Sequence, residues 1–289
     1  MYLNTLGKHE LYQSLAEIMN TTEKRIKQYI IKNKDVIVDC HYNETSIQSM
    51  NLDDFMKYVE CKRLNLIDKV IVHHITPRQD IDTVYTEGVL ILPNVLTKGT
   101  VLASYLREIG FTFEFMDNHV VMKKDKNIVE ISKLNFSNLH VRFGDNCTVN
   151  DFNINAYLFV CEFEVVKVRG WLGSPEILKS IATAFGKNSI ADNYADTCHN
   201  YLVSFEVSTD KIDLEGFSEE ITDAYKTEIL VKYVVMALAY CEMGKRPFFP
   251  MHNPVIYLKR DYNVLGDNIC RVWELTGDGK TVFPEEYRI

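Results

Sequence analysis

The chain has 289 residues, 46% of them hydrophobic and 25% charged, with 13 glycines and seven prolines, a composition that excludes collagenous and disordered classes and supports a packed core. Its length allows one large domain or one domain with a smaller attachment. A formal charge of −8 argues against a broad basic surface for nucleic acid, because phosphate attraction supplies most non-specific affinity, and it leaves room only for a local basic groove.

The opening MYLNTLGKHE has no apolar segment of signal-peptide length. From residue 8 to 34, Leu11, Leu15, Ile18, Ile26, Tyr29 and Ile30 recur at helical spacing, with a break at Asn20-Thr21-Thr22. Asn20 followed three residues later by Glu23 has capping-box spacing, and predicts the start of a second helix at the break. Two helices joined by a short turn describe a helix-turn-helix and equally a small helical cap. "LDDFMKYVECK" predicts a third helix, so residues 1–66 are read as a helical N-terminal region and residues 67–289 as a mixed domain.

From residue 67 the pattern changes. "KVIVHHI" predicts a strand, "TPRQDIDTVYTEG" a helix closed by Gly88, and "TVLASYLREIG" another closed by Gly110. Phe111, Phe113 and Phe115 alternate with polar residues, Asp117-Asn118 make a turn, and "VVMKK" and "IVEIS" continue a meander. Residues 156–168, "AYLFVCEFEVVKV", are the longest strand candidate. Ser174-Pro175 predicts an N-cap and first-turn proline opening a helix that Gly186 closes. "NYLVSFEVS" alternates as a half-buried strand. Residues 221–244 suit a strand by their β-branched middle and a helix by their length. "NPVIYLKRD" and "ICRVWELT" complete the strands. Strand-rich order with few βαβ units predicts an α+β class with two packed antiparallel sheets.

His73 and His74 adjoin at the end of the first of these strands, where neighbouring side chains point to opposite faces. One imidazole per face does not supply the three convergent ligands of a catalytic zinc, and the seven cysteines, odd in number and without C-x-x-C spacing, read as reduced thiols. A two-histidine phosphoesterase needs a second H-x-T or H-x-S to match His74-Ile75-Thr76, and no other histidine has one. His73 is read as a buried imidazole satisfied within the fold. No stretch reaches ~18 uninterrupted apolar residues, so a cytoplasmic protein with no membrane partner is expected.

His74-x-Thr76, followed by a short helix ending in Gly88-Val89-Leu90, resembles the opening of the NAD-dependent ADP-ribosyltransferase superfamily. "SIADNYADTCHNYLVSFEVSTDKIDLEG" is similar to that family's middle element, with Ala191 and Tyr194-Ala195 on a helix feeding a strand. The resemblance covers residues 67 to about 235 and lies nearest the bacterial toxin and phage-defence branch. It implies an ADP-ribosyltransferase-like fold of split antiparallel sheets with a helical N-terminal region. NAD is the implied substrate, a nucleic acid or protein the acceptor, and an antitoxin protein a further partner. His74 would bind the adenosine ribose or the nicotinamide side of NAD with Thr76 supporting the same edge, and Tyr194 or Tyr105 would stack on nicotinamide, core packing being the alternative for both tyrosines. The implied catalytic acid is Glu228 in "YKTEILV", a carboxylate acting on the cationic transition state, with Glu219, Glu220 and Glu206 as substitutes. Many relatives carry glutamate or glutamine two residues earlier, where this chain has Lys226. If residues 221–244 are one helix, Glu228 and Lys232 form an i,i+4 surface pair instead. The competing class is a non-enzymatic, helix-turn-helix-bearing regulatory or phage-encoded binding protein.

Overall fold

The computed structural model describes residues 1–39, 47, 50–134, 137–143, 152–217, 221–244 and 253–285. In the N-terminal region, helices occupy Lys8–Ile18, Glu23–Asp39 and Asp53–Tyr58. Asn20 does not cap the second helix. It takes a left-handed conformation (φ 49°), which asparagine tolerates, and so ends the first helix, while the Thr22 hydroxyl accepts the Arg25 amide at 3.4 Å at the head of the second.

The strands are β1 (Tyr2–Leu3), β2 (Lys69–Arg78), β3 (Phe111–Met116), β4 (His119–Lys124), β5 (Asn127–Ile128), β6 (Asn155–Tyr157), β7 (Phe163–Glu164), β8 (His199–Ser208), β9 (Ile212–Leu214), β10 (Val255–Leu258), β11 (Ile269–Gly277) and β12 (Thr281–Pro284). The expected antiparallel pairing is present, but the main strands form one curled sheet instead of two packed ones. Its order is β7-β12-β11-β8-β2-β6-β10-β9, with β1 beside β2 in a parallel pairing. Strands β3, β4 and β5 make a separate three-stranded meander.

Residues 223–242 resolve to a helix, Asp223–Glu242. Between residues 226 and 240 every side chain but Glu228 is buried, so the β-branched middle is a helix enclosed on all sides and not a strand. It shares one apolar core with Leu15, Ile26 and Ile30 of the N-terminal helices and with Val70, Val72, Val203 and Phe205 of the sheet. The N-terminal region is therefore packed into the same core as the sheet. A second cluster joins the meander to the helices Val101–Glu108, Glu176–Ala184 and Ser189–Ala195 through Leu106, Phe111, Ile181 and Tyr194. Among the described residues no helix is long and apolar enough to cross a membrane.

Several boundaries move. β2 continues through Thr76 and Pro77 to Arg78, and the next helix, Ile81–Glu87, starts only after Asp80, whose carboxylate accepts the Thr83 amide at 2.8 Å. A helix not expected from the sequence spans Leu92–Thr97. "IVEIS" gives only the two-residue β5 and a 3₁₀ turn at Ile131–Lys133. Ser174 is buried and makes no cap; Pro175 stands at the N-cap position of Glu176–Ala184.

The long strand expected over 156–168 is divided into β6, β7 and a short helix, Val165–Val168. Between β6 and β7, the buried Asn253 side chain replaces a neighbouring strand. Its Nδ2 donates to the Phe159 carbonyl at 2.7 Å and its Oδ1 accepts the Phe159 amide at 3.1 Å. Replacing Asn253 by alanine leaves both main-chain groups without partners in an apolar setting, and is expected to lower stability by about 2 to 4 kcal/mol. Urea denaturation of the two proteins measures this, and an unchanged midpoint would show that water satisfies Phe159 instead.

Candidate functional site

β2 is registered with β8 at all ten residues but with β6 only at His73–Tyr157. Past that pair the strands separate, and a cleft of about 360 Å³ opens in the fork, within the size range of small-ligand sites. Val70 and Val72 enter the main core, whereas His74, Thr76 and Arg78, next on that face of β2, line the cleft. The facing wall comes from Asn153 to Tyr157, and Trp171, Glu176, Glu215 and Tyr257 complete the surround. The loop at Val89–Leu90 is fastened by a two-way main-chain pairing of Val89 with Val264, at 2.9 and 2.8 Å. Gly88 permits this approach, since its φ is 73° and a Cβ there would lie 2.1 Å from the Val264 oxygen.

The two histidines have different roles. The Thr5 hydroxyl donates its one proton to the Ile71 carbonyl at 2.8 Å, so it accepts from His73 Nε2 at 2.9 Å. His73 Nδ1 then accepts from Ser204 Oγ at 2.6 Å, fixing the Nε2–H tautomer of a neutral, fully buried ring. Burial holds its pKa down to about 3. His74 has the opposite tautomer. Its Nδ1 donates to the Asn155 carbonyl at 2.7 Å, which leaves Nε2 as an acceptor. Enclosure of the ring lowers its pKa to about 4, with nearby Arg78 acting in the same direction.

Thr76 is buried, and its hydroxyl accepts from Arg78 Nη1 at 2.6 Å, keeping its own proton available as a donor. Arg78 also reaches the Pro77 and Gly88 carbonyls, at 3.2 and 3.3 Å. Its buried Nε has no hydrogen-bond partner among the described residues, and the Glu87 carboxylate stands 4.0 Å away. Burial lowers the guanidinium pKa and Glu87 opposes the shift. At the rim, Arg142 and Glu176 form an ion pair at 2.8 Å.

The structure does not bring Glu228 to this cleft. Its neighbour Thr227 takes the Ile67 amide on its hydroxyl at 3.1 Å, before β2 begins. Lys69 to His74 is about 17 Å of extended chain. Glu228 pairs with Lys232 at 2.7 Å along the helix, in a separate polar groove with Asp53, Lys62 and Arg63. Lys226, two residues before Glu228, is buried and donates to the Thr209 and Ile212 carbonyls at 2.7 and 2.8 Å. Glu206 is paired with Lys69 at 2.5 Å, and Glu219 and Glu220 lie outside the described residues.

Tyr105 and Tyr194 do not line the cleft either. Their rings meet edge to face at 5.1 Å in the second apolar cluster, and Tyr105 Oη donates to the Ile190 carbonyl at 2.6 Å. The A-x-x-Y-A helix thus uses Tyr194 for helix packing.

The residues that sequence reasoning missed are Arg78, Glu215 and Tyr257. Tyr257 Oη donates to Glu215 Oε1 at 3.0 Å, and Tyr257 is registered opposite Asn155, whose carbonyl holds His74. The local signal for Glu215 is slight: an acid at the end of β9, followed by Gly216 with φ 79°. Among the described residues no group of three or more His, Cys, Asp or Glu can hold a metal ion, and all five described cysteines are free thiols.

Comparison with protein-family models, with curated proteins and with solved structures finds no match to this chain.

The opposed tautomers give a direct test. Long-range ¹H–¹⁵N correlation spectra at pH 7 are expected to show His73 protonated at Nε2 and His74 at Nδ1, both neutral. Because both folded pKa values lie below the unfolded value of about 6.5, the unfolded chain binds more protons between that pH and about 4. Stability is therefore full above pH 6.5 and falls as pH drops, by up to about 1.4 kcal/mol per pH unit for the fully buried His73. Denaturation midpoints that rise on acidification through this window would contradict the assignment.

Proposed function

We propose that the protein is a NAD-dependent ADP-ribosyltransferase whose NAD site is the fork cleft and whose catalytic carboxylate is Glu215. The observation that carries this reading is the convergence of Glu215, through Tyr257 and Asn155, on the His74 side of one cleft. The main strands form one sheet with a fork at β2/β6 and not the split sheets of an ADP-ribosyltransferase-like fold, so the reading rests on the cleft's groups. The available groups suit NAD. His74 Nε2 accepts from a ribose hydroxyl, Thr76 donates beside it, and the guanidinium of Arg78, which lines the cleft, suits an anionic oxygen of the pyrophosphate.

In the reaction, the bond between ribose C1′ and the nicotinamide nitrogen breaks, and its electron pair leaves with neutral nicotinamide. A nucleophile of the acceptor bonds to C1′ and gives up its proton. Positive charge grows on the ribose as the bond lengthens, and a fixed carboxylate stabilises that charge more than it stabilises the bound substrate. The acceptor is a nucleic acid or a protein, as fits a cytoplasmic toxin or defence effector with an antitoxin partner.

The test is single-turnover transfer, or NAD hydrolysis, with labelled NAD. Glu215→Gln keeps shape and one acceptor oxygen, so NAD affinity should stay within a few-fold while turnover falls about a hundredfold to a thousandfold. Glu228→Gln should turn over at the wild-type rate. Wild-type turnover in Glu215→Gln, or no consumption of NAD by the wild type with nucleic-acid and protein acceptors supplied, would overturn the reading.

A further inference from the structure

We infer that the fork cleft encloses a single nucleotide, so that nicotinamide mononucleotide is a donor in its own right and NAD is read only through its nicotinamide half. This rests on the cleft being the donor site proposed above, and it narrows that site to a substrate class. At about 360 Å³ the cleft stands near the lower end of the roughly 300 to 1,000 Å³ of small-ligand sites. That is room for one base, ribose and phosphate, and the dinucleotide carries two of each.

The groups along the cleft follow the order of a mononucleotide. Tyr157 and Trp171 line one end, their rings edge to face with centroids 5.9 Å apart, and aromatic walls suit a cationic pyridinium. Glu215 stands at this end, because its amide donates at 3.2 Å to the carbonyl of Val255, the residue registered opposite Tyr157. A carboxylate there is beside the bond between base and ribose. β2 supplies the rest. His73 is paired with Tyr157, so His74 and then Thr76 follow away from the aromatic end and offer an acceptor and a donor to ribose hydroxyls. Arg78 comes last, but its guanidinium folds back onto the Thr76 hydroxyl at 2.6 Å. The cation therefore stands two strand residues, or about 7 Å, past His74, which is the reach from a ribose hydroxyl to its own 5′-phosphate.

Past Arg78 the described residues turn acidic. Glu87 lies 4.0 Å from the guanidinium and holds the Val101 amide at 2.6 Å, and the Asp80 carboxylate caps the next helix. Both acids repel a second phosphate. The other cation among the described lining residues, Arg142, is paired with Glu176 at 2.8 Å. With the mononucleotide, the bond between C1′ and the pyridinium nitrogen breaks and its electron pair leaves with neutral nicotinamide. Water or an acceptor nucleophile bonds to C1′ and gives up its proton, so ribose 5-phosphate is released or transferred.

The experiment follows nicotinamide release by the wild-type full chain from NAD, nicotinamide mononucleotide and nicotinamide riboside. An unbound adenosine half adds nothing to transition-state binding, so kcat/KM for the mononucleotide should lie within about tenfold of that for NAD. The riboside lacks the phosphate that Arg78 holds and should fall about tenfold to a hundredfold below the mononucleotide. Glu215→Gln should slow NAD and the mononucleotide by the same factor, as one shared site requires. Release from NAD with the mononucleotide more than about a hundredfold poorer would overturn the single-nucleotide cleft and leave the NAD site standing. Equal kcat/KM for riboside and mononucleotide would overturn it as well, by removing the phosphate from Arg78. No release from any of the donors, with nucleic-acid and protein acceptors supplied, would overturn the NAD site and this inference together.

Discussion

His73 and Tyr157 form the one registered pair between β2 and β6, and the geometry of the cleft depends on it. Beyond that pair, one side of β2 is a strand edge inside the molecule, where main-chain groups need partners or solvent. The Asn155 carbonyl, which would continue the ladder, instead accepts the His74 ring proton. The same bond that ends the pairing therefore orients the cleft histidine. His73 holds the point of divergence from the other face, bridging Thr5 of the N-terminal segment and Ser204 of β8. Protonating it would put a charge in a fully buried site whose two neighbours are matched to the neutral ring, which is why acid should act on the fork and on global stability together.

Much of the local structure was legible because it is locally caused. Glycine stops at Gly88 and Gly110, the alternation of Phe111 to Phe115 and the Asp117-Asn118 turn reflect backbone and pattern preferences that hold without tertiary help. The distinct fates of His73 and His74 followed from strand alternation alone. Residues 156–168 were misread because their apolar run is core filling, and only Asn253, about ninety positions away, satisfies the interrupted backbone. Asn20-x-x-Glu23 had the right residues for a cap, but the chain reversal required a left-handed residue at position 20, and asparagine serves there too.

At Glu228 the helix realises the alternative of an i,i+4 pair with Lys232. The order of Glu228 after the middle strand matched the resemblance, yet order places a residue only if the intervening element is the expected one. Here that element is a buried helix sandwiched between the sheet and the N-terminal helices, so a residue on its accessible side meets Lys232 and not the fork. Glu215 reaches the cleft by topology. β10 lies between β6 and β9, bringing residues near 155, 257 and 215 into one row, although nothing in the sequence around any one of them announces the others.

That row also bears on charge. An imidazolium at His74 would offset a carboxylate in the same cleft and weaken the field available to a developing cation. With Nδ1 held by a carbonyl and the pKa lowered to about 4 by enclosure, His74 remains a neutral acceptor through the physiological range. The guanidinium groups that line the cleft are held by other acids, Arg142 by Glu176 and Arg78 beside Glu87. A cleft whose histidine donates only to the backbone, and whose cations have their own acids, leaves one carboxylate hydrogen-bonded by a neutral phenol. In the proposed reaction that carboxylate stabilises positive charge without first having to break an ion pair, which is the preorganisation that electrostatic catalysis requires.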